Sequence, residues 1–240
     1  MTAYESNQSP DSQQKTTRIK AILGLLLIAP VPTIGVWFAA FGGQGLLGSV
    51  IWASAKVVLF IGPALWWFGV QKNILHIPRL KVDGLLIGAL SGLFLACVIF
   101  GSYWVIARPL MDFSSLRTML NAAGIDSAIK YFGLVLYLTL INSLIEEYVF
   151  RWFMIEQLKK LVPAVAAVLL SALIFMAHHT VVLVAYVPWH FNVLASVGVL
   201  TGGLLWSFLY FKYRQIWPSY FSHIGADIGV FLIGYHALFL

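Results

Sequence analysis

A chain of 240 residues, 60% of them hydrophobic and only 10% charged, is not an ordinary soluble domain, in which roughly a quarter of residues are charged. Its mean hydropathy of +0.88 and its repeated apolar runs of about 20 residues predict an all-α, polytopic transmembrane helix bundle with little chain left for a soluble domain. The net charge of +6 does not point to nucleic acid, because Lys and Arg gather in short stretches between the apolar runs, where membrane orientation accounts for them. The single cysteine, Cys97, lies inside an apolar run and forms no disulfide within the chain.

Residues 1–18 are polar, rich in Ser, Gln and Thr, and are expected to form a disordered cytosolic tail that is not cleaved. Seven apolar segments follow, at about 19–41, 45–70, 84–107, 131–157, 163–186, 190–211 and 217–240, each long enough to cross roughly 30 Å of hydrocarbon. Pro30 and Pro32 predict a kink in the first segment. Residues 108–130 read as an amphipathic interfacial stretch that closes an N-terminal unit, 19–130. The remaining unit, 131–240, carries four of the apolar segments, and no internal repeat is visible.

Counting Lys and Arg on alternate sides places Lys15, Arg18, Lys20, Lys72, Arg79, Lys81, Lys159, Lys160, Lys212 and Arg214 on one face of the membrane. Only Arg108, Arg117 and Lys130 fall on the other. This asymmetry predicts a cytosolic N-terminus and, with seven crossings, an external C-terminus. Small residues at four-residue spacing (Gly84, Gly88 and Gly92; Gly198 and Gly202; Gly225 and Gly229) predict close helix approach in a compact bundle.

Ionisable residues at membrane depth are costly and mark function by default. Here they fall on three segments: Glu146, Glu147 and Arg151; His178 and His179; His223 and Asp227. Glu147 and Arg151 share a helix face and can neutralise each other, while Glu146 is turned about 100° away from that pair and is left to face another helix. Ser171, Phe175 and His179 form one stripe, and Ser219, His223 and Asp227 another. If the fourth and fifth segments form a hairpin turning near Val162, Glu146 and His179 each lie about 24–25 Å from the turn and are level. His223, close to the start of its helix at Trp217, reaches that depth only if the hairpin projects further or the seventh helix starts early.

These residues carry a resemblance. The patterns E-E-Y-V-F-R (Glu146 to Arg151), F-M-A-H-H (Phe175 to His179) and H-I-G-A-D (His223 to Asp227), in this order on three apolar helices, resemble the CPBP family of intramembrane glutamic proteases. That family contains the Rce1-type CAAX prenyl proteases and the Abi or bacteriocin-processing proteins. The resemblance covers about residues 131–240 and implies a four-helix catalytic core there. It implies an endopeptidase that hydrolyses a peptide bond in a membrane-associated peptide or protein without a metal or other cofactor. In this reading Glu146 and His179 activate a water, His223 helps stabilise the oxyanion, and Glu147 with Arg151 forms a supporting ion pair. Asp227 occupies a position that is Asn in many members. An ionised carboxylate repels an oxyanion, so Asp227, the fourth residue of the implied catalytic set, is expected either to be protonated or to orient and charge His223 instead. The likeness to compact Abi-like members places the chain in a plasma (inner) membrane.

Other readings compete. The same cluster would suit a proton-coupled transporter, an immunity protein or a scaffold, but a transporter tends to show internal repeats and broken helices at its site, and neither is visible. Zinc is the alternative to a metal-free site, with Glu146, His179, His223 and Asp227 as possible ligands; the two-histidine HExxH motif of zinc proteases is absent. His178, rotated off the motif face, is expected to be a hydrogen-bonded core or interfacial histidine, as are His76, His190 and His236. Lys56, alone in the second apolar segment, lines the cavity, pairs with a carboxylate or snorkels to the interface. The motifs encode neither the substrate's identity nor an oligomeric state.

Overall fold

Proline and serine decide where the first helix starts and bends. Ser9 caps α1 (Pro10–Ile28), its side chain accepting from the Ser12 N–H at 3.3 Å with Pro10 in the first turn, the combination that favours a helix start. Helix α1 therefore begins inside the stretch expected to be disordered, and residues 10–18 are helical. Pro30 then separates α1 from α2 (Val31–Phe41), producing the anticipated kink. The computed structural model describes residues 9–42, 46–74, 80–110 and 113–240. Residues 1–8, His76 and Arg79 lie outside the described residues.

The remaining helices follow the apolar segments: α3 (Leu46–Val70), α4 (Val82–Ala107), α6 (Ala128–Leu158), α7 (Ala164–Val184) and α8 (Trp189–Tyr213), then α9 (Trp217–Phe239). A short helix, α5 (Ser114–Ala122), occupies the predicted interfacial stretch. Among the described residues six stretches are long and apolar enough to cross a membrane, with α1 and α2 counted as one. Helix α9 has a spanning length of 23 residues, but Ser219, Ser222, His223, Asp227 and His236 make it less apolar than the others.

Glycines set the tightest helix contact, between α4 and α9. A side chain added at Gly88 would overlap the Pro218 backbone, one at Gly225 would overlap Gly92, and one at Gly229 would lie 2.9 Å from Ala96 Cα. Lipid tails are as apolar as leucine, so helices in a bilayer associate through such close van der Waals packing. Gly198 is exposed, with open space beside it; the expected Gly198/Gly202 contact does not form.

Helix α6 forms the middle of the core. Phe150, Phe153 and Met154 pack with Phe175 of α7 and with Trp206 and Leu209 of α8. Side chains such as Phe60 and Phe94 face outward, 63% and 66% exposed, as lipid-facing positions require. Twice, at Tyr137–Asn142 and Glu147–Met154, α6 widens into π-helical turns, an i→i+5 geometry frequent at functional sites; the ends of α3 and α4 widen in the same way.

Candidate active site

Two consecutive glutamates of α6 enter the bundle where the α-helical turn Ser143–Glu146 meets the second wide stretch, Glu147–Met154. Glu146 is 8% exposed and Glu147 fully buried, although adjacent residues of an ordinary helix point about 100° apart. They meet different helices. Glu146 Oε1 lies 3.6 Å from His178 Nε2 on α7, and Oε2 lies 3.7 Å from His223 Nε2 on α9. Glu147 Oε1 lies 2.9 Å from His223 Nδ1, and its Oε2 lies 3.3 Å from Arg151 Nε.

His223 thus stands between both carboxylates. A carboxylate can only accept, so the proton of the His223–Glu147 bond belongs to Nδ1, and Nε2 is left facing Glu146. Trp206 stacks on the imidazole at 3.9 Å between centroids and an angle of 16°. Trp206 Nε1 donates to Ser222 Oγ at 3.1 Å, and Ser91 of α4 donates to the same oxygen at 2.9 Å. The ring is held on its face, at one nitrogen and through its neighbour.

His179 is anchored in a similar way. Its Nδ1 lies 3.1 Å from the Phe175 carbonyl, an acceptor, so Nδ1 carries the proton there. A carboxylate oxygen of Glu146 and a ring nitrogen from each of His178 and His179 lie within 4.8 Å of one another. This cluster differs from the zinc ligand set considered from sequence, because His178 replaces His223 and Asp227.

The ion pair expected of Glu147 and Arg151 is present, with both side chains fully buried. Among the described residues no hydrogen-bond partner reaches Arg151 Nη1 or Nη2. The guanidinium instead lies over the rings of Phe175, at 4.6 Å, and Trp206, at 5.5 Å, where cation–π attraction replaces hydrogen bonding.

Asp227 accepts a hydrogen bond from Ser143, and its Oδ1 lies 3.8 Å from His223 Nε2. It was expected to orient His223, yet the hydrogen bond that does so comes from Glu147. The depth of His223 is also resolved: α9 starts no earlier than Trp217, so the α6–α7 hairpin projects beyond the start of α9. Consistently, Glu156 near that hairpin meets Tyr210 at 3.1 Å and Arg214 at 4.0 Å, beside the α8–α9 corner.

Against Glu146, between α2, α3, α6 and α7, lies a cavity of about 30 Å³ lined by Lys56, Glu146 and His178 among apolar neighbours. A cavity needs roughly 10–15 Å³ of such space to hold a water, so this one is large enough. A wider cleft of about 620 Å³ opens between α7 and α8, lined by Thr180, Asn192 and Ser196 and by apolar side chains.

Three motif-bearing helices converge here in the order in which they occur along the chain. Residues 128–229 match the Rce1-like family of type II CAAX prenyl endopeptidases. This Rce1-like segment covers less than half of the chain, but it contains Glu146, Glu147, Arg151, His178, His179, His223 and Asp227. No curated protein and no solved structure matches. With its long apolar helices, the chain is an integral, multi-pass membrane protein in which residues 128–229 are similar to the Rce1-like family.

Sequence reasoning missed three participants. His178 was set aside because it is off the motif face, but α7 is packed between α6 and α8, so more than one of its faces is enclosed. Asn142, whose Nδ2 donates to Glu146 Oε1 at 2.8 Å, and Ser143, which donates to Asp227, lie one turn before the glutamates. Their signal was available as two polar residues opening the first motif.

Proposed function

We propose that this protein is an intramembrane endopeptidase that cleaves a peptide bond in a membrane-associated peptide or protein by a metal-free, glutamate-activated water. One observation supports this most: Glu146 lies at a water-sized cavity while its carboxylate faces histidines from two other helices. In this reading Glu146 takes a proton from the water, whose oxygen attacks the peptide carbonyl carbon. The oxyanion forms near His223, whose Nε2 becomes a donor once protonated, while His179, with its proton on Nδ1 at the Phe175 carbonyl, presents Nε2 as an acceptor that helps Glu146 activate the water. The proton passes to the leaving nitrogen as the C–N bond breaks, giving a carboxylate and an amine. Glu147 and Arg151 support His223 and the helix, and Asp227 flanks its Nε2.

The family name supports a CAAX-type substrate, and the cleft beside Thr180, next to His179, offers room for an extended chain. In this reading the N-terminus is cytosolic, which the distribution of Lys and Arg supports, and the membrane is a bacterial-type plasma membrane, which the likeness to compact Abi-like members supports. The test is cleavage of a farnesylated CAAX peptide and of host membrane peptides by protein in proteoliposomes, comparing wild type with Glu146→Ala and His179→Ala, with and without a zinc chelator. Products lost in both variants and unaffected by chelator are expected; identical products from wild type and variants would move the assignment to transport or scaffolding.

A further inference from the structure

Lys56 lies in the middle of α3, far outside the Rce1-like segment. It is 10 residues from Leu46 and 14 from Val70, or roughly 15 and 21 Å along the axis. That is further than a four-carbon stem can carry its ammonium to an interface. Its Nζ instead donates to Asn142 Oδ1 on α6, with the ring of Trp52 5.6 Å away. Lys56 also lines the small cavity beside Glu146 and His178.

The chemistry of these groups fixes an orientation. An ammonium has three donors and no acceptor, so Asn142 must present Oδ1 to it. The other end of the amide, Nδ2, then faces Glu146 Oε1, to which it donates at 2.8 Å. The opposite carboxylate oxygen, Oε2, faces His223. A chain of hydrogen bonds from α3 to α6 therefore holds one oxygen of Glu146.

We propose that Lys56 is a positioning residue of this site: through Asn142 it fixes the Glu146 carboxylate, tethering Oε1 and leaving Oε2 toward His223. The inference rests on the peptidase reading for its effect on turnover, but the tether itself does not. Without Lys56 the carboxylate, which can only accept, still draws Nδ2 toward it, but Asn142 Oδ1 loses its donor from α3, and the amide is free to change rotamer and carry Oε1 with it. The N-terminal helices thereby become part of the catalytic apparatus.

The test uses the full-length protein in proteoliposomes with a farnesylated CAAX peptide as probe. Lys56→Met and Asn142→Leu are each expected to lower kcat about 10- to 100-fold, the scale of a small misplacement of a reacting group, with KM changed less than about twofold. The double variant is expected to be no worse than either single one, because both remove the same tether. Lys56→Arg, which keeps the donor and the charge, is expected to restore most of the activity and shows that loss in Lys56→Met is not misfolding. Losses that multiply, or an unchanged kcat in Lys56→Met, would overturn the proposal.

A second readout needs no turnover. In protein labelled with ¹³C-carboxyl glutamate, the infrared difference from Glu146→Gln isolates the Glu146 carboxylate band. Lys56→Met and Asn142→Leu are expected to move this band alike, and Lys56→Arg to return it. If wild type cleaves no peptide, the peptidase reading fails and the band still decides the tether: an unmoved band in Lys56→Met refutes it.

Discussion

His223 Nδ1 donates to Glu147 Oε1 at 2.9 Å, so the second glutamate of the pair sets the tautomer of a histidine that lies 3.7 Å from the first. Replacing Glu147 by Gln keeps the shape but allows an amide N–H to face Nδ1, which would force the proton onto Nε2. A reversed tautomer is expected to lower kcat by about 10²- to 10⁴-fold. The same change leaves Arg151 without its counter-charge. The variant Glu147→Gln/Arg151→Met, which removes both charges, should therefore recover thermal stability while remaining inactive. Recovery of activity as well would show that Glu147 serves only the ion pair.

Arg151 is fully buried against Phe175 and Trp206. Arg151→Ala strands a buried carboxylate and opens a hole, at an expected cost of about 3–5 kcal/mol. Arg151→Lys should rescue only part of this, because an ammonium does not lie flat on two rings as a guanidinium does. Thermal unfolding in detergent measures both; equal stability of Arg151→Lys and wild type would remove the rings from the account.

At Gly225 any side chain runs into the Gly92 backbone. Gly225→Ala is expected to destabilise the protein by about 1–3 kcal/mol through overpacking, and to reduce turnover because α9 carries His223. Gly198→Ala, at an exposed position with open space, is the matched control and should leave both properties unchanged. Melting curves of the two variants side by side decide the point.

Metal content gives an independent check. Protein purified with and without a chelator is expected to hold no stoichiometric zinc by elemental analysis and to cleave at the same rate. Zinc retained by wild type but lost in His178→Ala would instead assign the Glu146, His178 and His179 cluster to a metal.

Much of this arrangement is legible in the sequence because its causes are local. The apolar runs, the proline kink and the glycine spacing on α4 and α9 each act within one helix and reappear in the fold, whereas Gly198 meets no neighbour. Glu146 and His179 could be placed level by counting rise along a hairpin. What the sequence hides are relations that depend on angles and on distant chain. A helical wheel turns Glu146 away from Glu147 and Arg151, but it does not show that both glutamates reach the same histidine, His223, on α9. Asp227, rather than Glu147, looked like the partner of His223 because it lies one turn away on the same helix, whereas Glu147 reaches it only through tertiary packing. Lys56 was legible as an oddity in an apolar run; its bond to Asn142 joins helices far apart in sequence.

The glycine seam between α4 and α9 means that the family boundary at residue 128 is not a boundary of the folded object. A fragment starting there would expose Gly225 and Gly229 to lipid and lose Ser91, which ties down Ser222 beside His223. Such a fragment is not expected to fold on its own. A chain severed in the 108–127 connection, with both halves made together, should reassemble as a two-piece protease, since its closest-fitting surface is itself the adhesive.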